Sequence, residues 1–235
     1  MIHVLFCVQK SRFQEFLPLR NIKNISKTLW LKCRRDARFR DVFYNNRFGG
    51  RESVSGPGSS LEQTRIVRQE LPKLIDELQI DTFLDAPCGD FNWMKEVELG
   101  VKKYIGADIV KDLIENNRKV YENEIRKFIV LDIVKDHIPV VDLIFCRDCF
   151  VHLTFKEITR SLRNIIRSKS KWLLTTTFVN LNSNEELSTG WRAVNFQVPP
   201  FNFPPPVMII NEKCTEQDGK YFDKSLGLWK INDIL

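Results

Sequence analysis

The sequence predicts an α/β fold built around a doubly wound, mostly parallel sheet of seven strands. Between residues 61 and 179, short apolar runs alternate with segments of helical periodicity. This alternation predicts βαβ units with right-handed crossovers. Two further apolar runs, residues 207–210 and 226–231, have no helical pattern between them. They predict an antiparallel pair that closes the sheet, so that its last strand is antiparallel to the others.

The first strand leads into the stretch Thr82–Met94, around which we expect the rest of the chain to be organised. An apolar run reaches Asp85, and a turn of small residues, 86–89, follows it. Trp93 then belongs to a mixed apolar and polar run, so the pattern predicts a buried strand, a tight turn and the start of a helix. Such turns bind nucleotide-like ligands, because the backbone approaches closely and helix N–H groups point at the ligand.

The other elements follow in chain order. Further strands are predicted over residues 104–108, 127–133, 140–146 and 172–179. Helices are predicted over residues 61–78, 110–121 and 155–167. Ser59 or Ser60 would cap the first of these helices, and Pro72 would kink it. Thr154 and Glu157 form a capping box at the start of the last one.

Three acidic residues fall at the carboxyl ends of successive predicted strands: Asp85, Asp108 and Asp132. In an open parallel sheet this edge is where ligands bind. Asp108 follows the first strand at about the spacing of an acid that binds ribose hydroxyls, and a carboxylate can accept from two hydroxyls at once. Asp132 can accept from the exocyclic amine of an adenine while Ile133 covers a face of the ring.

These residues resemble the motifs of the class I S-adenosylmethionine-dependent methyltransferases. The resemblance covers residues 56–235 and rests on Leu84–Gly89, Gly106–Asp108, Leu131–Ile133 and Asp142–Asp148. It implies a Rossmann-like sheet, S-adenosylmethionine as the cofactor and S-adenosylhomocysteine as the product. The predicted antiparallel last strand adds to the resemblance, because the family inserts its last strand in that direction.

The resemblance also implies which residues hold the cofactor. It places Asp85 near the methionine amino group, Asp108 on the ribose and Asp132 on the adenine, with the turn through Gly89 against the ligand. The whole implied set is Asp85, Ala86, Pro87, Cys88, Gly89, Asp108, Ile109, Asp132, Ile133 and Arg147. The rival for such a sheet is a nicotinamide dehydrogenase, which needs Gly-x-Gly-x-x-Gly. This chain has one glycine there, and Asp85 and Asp90 would repel a pyrophosphate.

The segment after the fourth strand, Cys146–His152, is where the family places acceptor chemistry. Asp148 and His152 are four residues apart and would share one face of a helical turn. We expect His152 to be the general base and Asp148 to orient it or to bind the acceptor. A purely structural histidine is the alternative. The Arg-Asp-x-x-x-His pattern of this segment also resembles the phosphobase N-methyltransferases.

The acceptor is predicted from a few aromatic and polar residues. Trp191 can stack on a sugar ring, and Arg192 and Asn195 can hydrogen-bond to its hydroxyls; Trp93 completes the predicted substrate-binding set. Loop 48–60, the turn Asp85–Phe91 and the Pro-Pro-Phe at residues 199–201 together look like methyltransferases of surface-polysaccharide synthesis. This resemblance favours O-methylation of a glycan hydroxyl or another small molecule. The alternatives are N-methylation of a phosphobase-like amine, RNA methylation, or a non-catalytic binding module of the same fold.

Charge is concentrated at one end of the chain. The net charge is +6, and the excess of basic over acidic residues lies in the first 51 residues. We therefore predict a basic, partly helical extension over residues 1–48 and a methyltransferase domain over residues 49–235. Such an extension can contact nucleic acid, anionic lipid or an acidic glycan, although nucleic acid is not the favoured partner.

The cysteines and the apolar runs indicate the cellular compartment of the protein. Six cysteines include a single Cys-x-x-Cys, at Cys146 and Cys149, with no second pair to complete a zinc site. We therefore predict no metal, and free thiols in a reducing compartment. No apolar run approaches the length of a membrane span, so a cytoplasmic protein is expected. No oligomeric state is predicted.

Overall fold

The computed structural model of the chain describes residues 33–234, and the predicted helical patches before residue 33 lie outside them. Its centre is a seven-stranded sheet in the order β3-β2-β1-β4-β5-β7-β6. The strands are β1 (Thr82–Asp85), β2 (Lys103–Asp108), β3 (Arg126–Val130), β4 (Leu143–Cys146), β5 (Trp172–Phe178), β6 (Met208–Asn211) and β7 (Lys224–Lys230). β7 pairs antiparallel with both its neighbours, whereas the other pairs are parallel. The predicted Rossmann-like sheet is therefore confirmed.

The four longer helices are α1 (Arg35–Asn45), α2 (Arg65–Glu77), α3 (Lys111–Tyr121) and α4 (Phe155–Ser168). The last three match the predicted periodicity, with one correction at a start, whereas α1 lies in the segment predicted only as a partly helical extension. The predicted cap of α2 is wrong, because Ser60 accepts from the N–H of Gln63 (3.3 Å) inside a turn that precedes the helix. α2 continues through Pro72, which removes one backbone hydrogen bond without ending the helix. Within residues 33–234, no helix has the length and apolar character needed to cross a membrane.

The segment after β1 also differs from the prediction. A single 3₁₀ turn, Met94–Glu96, forms where a longer helix was expected. Phe91 has a left-handed backbone (φ 61°), and both Phe91 and Trp93 are buried. Apolar side chains so close together in sequence cannot all face the core from one helix, and their burial therefore holds this segment in a loop. A ligand at this edge meets the backbone of the turn rather than the start of a helix.

Alternate residues of the strands point into two apolar layers. Phe83 and Phe145 face the layer that α2 and α3 complete. Leu84 and Ile144 face the opposite layer, which α4 and residues 194–203 complete. This is the period of two expected of strands. Because both faces of the sheet are covered, the strands read in the sequence as continuous apolar runs.

The topology brings the predicted functional residues to one edge of the sheet. β1 lies between β2 and β4 and pairs in parallel with both. Asp85 and Asp108 are the last residues of β1 and β2, and Arg147 directly follows β4. β3 ends at Val130, so Asp132 lies in the following loop rather than inside the strand, as the sequence pattern had placed it. All four strand ends open toward the same space.

Thr154 caps α4 in the predicted capping box. Its Oγ1 accepts from the N–H of Glu157 (3.3 Å), and the Glu157 carboxylate accepts from the N–H of Thr154 (3.0 Å). We expect Thr154→Ala to lower the free energy of unfolding by about 1 kcal/mol in urea denaturation. Thr159→Ala, at an exposed position in the same helix, is the control and should change it by less than about 0.5 kcal/mol. Equal losses in both variants would contradict the capping role.

Candidate functional site

A cleft lies between the carboxyl edge of the sheet and a roof, which we define as α1 together with residues 46–59. All of the residues predicted to hold a cofactor line this cleft. They are Asp85, Ala86, Pro87, Cys88, Gly89, Asp108, Ile109, Asp132, Ile133 and Arg147. The fold therefore brings together four sequence motifs that are far apart along the chain.

Asp85 lies at the inner end of the cleft and is almost fully buried. The hydroxyl of Tyr104, on β2, donates to its Oδ2 at 2.6 Å. Burial disfavours the carboxylate and raises the pKa of Asp85 to about 8, although the bond from Tyr104 acts in the opposite direction. The side chain is therefore mostly protonated at pH 7, and a cation entering the cleft would favour its ionised form.

The turn after β1 joins the sheet to the roof. Gly89 has a positive φ of 54°, and a Cβ at this position would overlap Oγ of Ser55. Asp90 accepts from Oγ of Ser53 at 2.8 Å and from the N–H of Val54 at 2.9 Å. The single glycine of the first motif is thus required where the roof touches the turn, and the second acid of the motif holds the roof in place.

Asp108 occupies the end of β2 and is also buried. Its Oδ1 accepts from the N–H of Val110 at 2.9 Å. Burial raises the pKa of Asp108 to about 6, while backbone N–H groups, including that of Val110, favour the charged form. The carboxylate is therefore ionised in most molecules at pH 7, as a group that accepts from two hydroxyls should be.

Asp132 is bound by the roof. Arg35, in the first turn of α1, donates to its two carboxylate oxygens through Nη2 at 2.7 Å and Nε at 3.3 Å. The same guanidinium reaches Glu157 at 2.9 Å, and Arg38 reaches Glu157 at 2.7 Å. The acid predicted to meet an adenine amine thus already has a bidentate partner. Arg35 lines the cleft beside it, so this end of the cleft offers both donors and acceptors.

A second pocket opens beside the cleft, and Asp148 and His152 line both spaces. We call the place where they meet the junction. The far wall of the second pocket contains Trp191 and Tyr221, whose rings lie 4.9 Å apart. The ring of Phe178 packs edge-on against both. The second pocket is therefore aromatic on one side and polar at the junction.

Asp148 belongs to a buried network of ion pairs. Nζ of Lys224 lies 2.6 Å from Asp148 and 3.3 Å from Glu212. Arg147 contacts the same two carboxylates at 3.3 and 2.8 Å. Burial would raise the pKa of Asp148, but the charges of Lys224 and Arg147 outweigh it and lower the pKa to about 2. Asp148 therefore stays ionised near neutral pH, with two cations as its partners.

His152 is oriented by a backbone carbonyl rather than by Asp148. Its Nδ1 lies 2.6 Å from the carbonyl oxygen of Gly190. Because a carbonyl only accepts, Nδ1 carries the proton, and Nε2 of the neutral ring is the basic nitrogen. Burial lowers the pKa of His152, although the Gly190 bond and the charge of Asp148 act to raise it. The imidazole is therefore neutral at pH 7 and can accept a proton.

The residues predicted to bind substrate have different positions. Trp191 lines the second pocket, whereas Trp93 lines the cleft, 5.7 Å from the guanidinium of Arg147. Arg192 donates to three backbone carbonyls at 2.7–2.9 Å, and Asn195 donates to a fourth at 2.8 Å. These bonds hold the loop after β5 in place. Arg192 and Asn195 lie outside the lining of both pockets, and their contacts with an acceptor stay a prediction.

Sequence reasoning missed α1 as part of the site. The pattern that could have revealed α1 is the helical spacing of its cleft-lining residues, which puts them on one face of the helix. These residues are Arg35, Phe39, Val42 and Phe43. Loop 48–60 also contributes to the site, because several of its residues line both spaces. The predicted domain boundary after residue 48 therefore runs through the roof.

The cysteine thiols of the described residues do not belong to a metal-binding cluster. Over residues 33–234, no group of three or more His, Cys, Asp or Glu side chains is arranged to hold a metal ion. Cys88, Cys146, Cys149 and Cys214 are free thiols. Burial raises the pKa of Cys88 and of Cys146 well above the ordinary value, so neither is a reactive thiolate.

Comparison with known proteins adds a set of distant structural similarities. No family model and no curated protein matches the chain. The solved N-methyltransferase NodS from Bradyrhizobium japonicum, in complex with S-adenosylhomocysteine, is 12% identical, with 59% of this chain and 74% of NodS covered and a TM-score of 0.47. Human N-acetylserotonin methyltransferase in complex with S-adenosylmethionine is 14% identical, with 72% and 47% covered and a TM-score of 0.44.

The methyltransferase domain of a bacterial Hen1 is similar at the same level. It is 10% identical, with 49% of this chain covered and a TM-score of 0.44. The match spans 66% of that domain, slightly less than two thirds of its length. Because these similarities are so distant, the functional conclusion has to come from the geometry of the site itself.

Asp85→Asn tests the buried acid through the stability of the chain. The folded pKa of Asp85, about 8, lies above the unfolded value of about 3.9. Its contribution to stability is thus complete below about pH 4 and is lost as the pH rises through 8. Asparagine cannot ionise, and its oxygen can still accept from Tyr104. We therefore expect the variant to gain stability relative to the parent chain between about pH 5 and pH 9 in urea denaturation.

Asp142→Asn is the control of opposite sign. Burial would raise the pKa of Asp142, but Lys171 and Thr82 lower it to about 2. This acid contributes stability above its unfolded pKa of about 3.9, which is lost as the pH falls toward 2. Asp142→Asn should therefore be less stable than the parent chain at neutral pH. If the stability of Asp85→Asn relative to the parent does not change with pH, Asp85 does not have a raised pKa.

Proposed function

We propose that the chain is an S-adenosylmethionine-dependent methyltransferase that acts on a hydroxyl of a neutral small molecule or glycan. One observation carries the proposal. The carboxyl groups of Asp85, Asp108 and Asp132 line one cleft, and that cleft meets a second pocket at a neutral imidazole. Methyl transfer needs two such adjoining spaces, because the acceptor must approach the methyl group in line and from the side opposite the donor.

The side chains of the cleft fit the groups of an adenosyl cofactor. Asp85 offers a carboxylate to an ammonium, and Asp108 can accept from two ribose hydroxyls. At the other end, Asp132 and Arg35 offer acceptors and donors to the edge of an adenine, and Ile133 offers an apolar surface to its face. When bound, S-adenosylmethionine supplies a methyl group on a positively charged sulfur. These carboxylate acceptors support a ligand that bears an ammonium group and a ribose over one that bears a pyrophosphate.

The second pocket favours an uncharged acceptor. Among the described residues, two cationic side chains line it, and both have carboxylate partners: Lys224 with Asp148, and Arg47 with Asp41. Removing one partner of a buried pair costs on the order of 3–5 kcal/mol, so the buried Lys224 is not readily released from Asp148 to a phosphate group. The aromatic wall that includes Trp191 provides a surface on which a sugar ring can stack. These features support a hydroxyl acceptor over a phosphobase or RNA.

His152 is the group in our proposal that takes the hydroxyl proton. Its Nε2 would accept the proton when the acceptor oxygen takes the methyl group and the methyl–sulfur bond breaks to leave S-adenosylhomocysteine, while the carbonyl of Gly190 keeps Nδ1–H in place. The ring then becomes a cation. Asp148, which Lys224 and Arg147 hold in its ionised form, lies at the same junction and favours that cation. Asp148 thus acts through its charge and not through a hydrogen bond to the ring.

Binding of S-adenosylhomocysteine to the full chain is the first test. We expect binding in calorimetry, and we expect Asp108→Asn to weaken it about tenfold to a hundredfold, because hydrogen bonds to a charged group contribute about 1.5–3 kcal/mol. Asp81→Asn is the matched control. Asp81 directly precedes β1 at the opposite edge of the sheet and is exposed, so the affinity should not change. A folded parent chain that does not bind the ligand would support the non-catalytic module instead.

Replacement of His152 is the second test. Transfer of a labelled methyl group from S-adenosylmethionine to a panel of mono- and oligosaccharides should fall by about 10²–10⁴ in His152→Gln, because general base catalysis contributes that factor. The affinity for S-adenosylhomocysteine should be retained. His137→Gln, at an exposed site away from both pockets, is the control. A loss of less than about tenfold would remove His152 from the role of base.

A further inference from the structure

The imidazole of His152 lies in a slot between two aromatic rings of the roof. The ring of Phe48 stacks on it, with centroids 4.6 Å apart and an interplanar angle of 20°. The ring of Phe39 meets it edge-on at 6.4 Å, and the carbonyl of Gly190 lies 2.6 Å from Nδ1. Stacking fixes the plane of the imidazole, and the hydrogen bond fixes its rotation within that plane.

Phe48 reaches this position through the turn that ends α1. Asn46 has a left-handed conformation at the C-cap (φ 44°), which is common at helix ends. Its side chain donates to the carbonyl of Gly50 at 2.9 Å. Gly56 (φ 103°) passes so close that a Cβ there would lie 3.0 Å from Cβ of Phe48. The phenyl ring is therefore held between the loop on one side and the imidazole on the other.

The opposite end of α1 is fixed at the other end of the cleft. Arg35 pairs with Asp132 and Glu157, and Arg38, which is almost fully buried, pairs with Glu157. Glu157 also completes the capping box of α4, the helix that begins just after the proposed base. α1 thus spans the cleft from its adenine end to the junction, and the turn after α1 carries the ring that touches the base.

We propose that Phe48 is a positioning residue, which holds His152 in the plane and tautomer in which Nε2 serves as the base; this inference rests on the proposed function. Phe48 lines both the cleft and the second pocket, so it stands at the junction itself. A phenyl ring has no group that exchanges protons, and it therefore acts only through the imidazole. Its flat ring stacks on one face of the imidazole, which a branched aliphatic side chain cannot do.

Charged groups on several elements also act on His152. Burial, to which the Phe48 ring contributes, lowers its pKa most, and Arg192 and Lys224 lower it further. Asp148 and the backbone carbonyl at Nδ1 act in the opposite direction. A substitution at Phe48 leaves these groups in place, but it lets the imidazole turn away from the Gly190 carbonyl and admits water to one face of the ring. The pKa of His152 should then rise toward its ordinary value of about 6.5.

The test uses side-chain NMR and needs no acceptor. The chain has three histidines, and the signals of His152 are those lost in His152→Gln. With ¹⁵N-labelled histidine in the full chain, we expect the parent to show an Nδ1-protonated tautomer and a pKa below about 6.5. Phe48→Leu should give mixed tautomers and a higher pKa. Phe48→Tyr keeps the flat ring and should restore both parent values.

Tyr44→Leu is the matched control. Tyr44 is an exposed aromatic residue of α1, and its hydroxyl donates to Asp112 at 2.6 Å, away from the imidazole. This variant should keep the tautomer and the pKa of the parent. The proposal is overturned if Phe48→Leu leaves both unchanged, or if Tyr44→Leu changes them equally. Thermal unfolding checks the fold of each variant, and Phe48→Met gives the same comparison if the leucine variant does not fold.

Calorimetry with S-adenosylhomocysteine separates this inference from the proposed function. If the parent chain does not bind the ligand but the NMR changes appear, the methyltransferase proposal fails and the positioning of the imidazole by Phe48 stands. If the ligand binds and His152 is unaffected in Phe48→Leu, the positioning role alone fails.

Discussion

The burial of several carboxylates at one edge of the sheet is the constraint on which the rest of the structure depends. An unpaired buried charge is strongly unfavourable, so each acid must find a partner or take up a proton. Asp132 and Asp148 have cationic partners within 2.7 Å. Asp85 and Asp108 lack such partners at this distance among the described residues, and burial raises their pKa values. The first two acids organise the chain, and the last two remain suited to donors that come from outside.

The two paired acids connect distant elements to the sequence motifs. Asp132 fixes α1 over the cleft through Arg35. Asp148 fixes β7 through Lys224, and Lys224 shares Glu212 with Arg147. The roof and the closing strands are thus tied to the loops after β3 and β4 by charge as well as by apolar packing. Removing one member of such a pair leaves a buried charge behind, which is more damaging than replacing the pair.

Much of the fold could be predicted because its signals are local. The strand alternation, the helical stripes and the capping box at Thr154 each depend on residues within one or two turns. The predicted start of α2 and the predicted helix after β1 were wrong, because tertiary packing decides both. The burial of Phe91 and Trp93, for example, holds the segment after β1 in a loop. In the site, the strand-end acids followed from topology. The network of Arg147 and Glu212 could not follow, because 65 residues separate them.

The ion pairs are also the reason why we propose a hydroxyl acceptor. An amine that is protonated at neutral pH would be attracted by an unpaired carboxylate at the junction, but the charge of Asp148 is balanced by Lys224 and Arg147. The same balance leaves little attraction for a phosphate. A neutral imidazole is poorly suited to hold either ion, whereas it can accept a proton from a hydroxyl as the new bond forms. An acceptor without charge is therefore the one that neither the network nor the base disfavours.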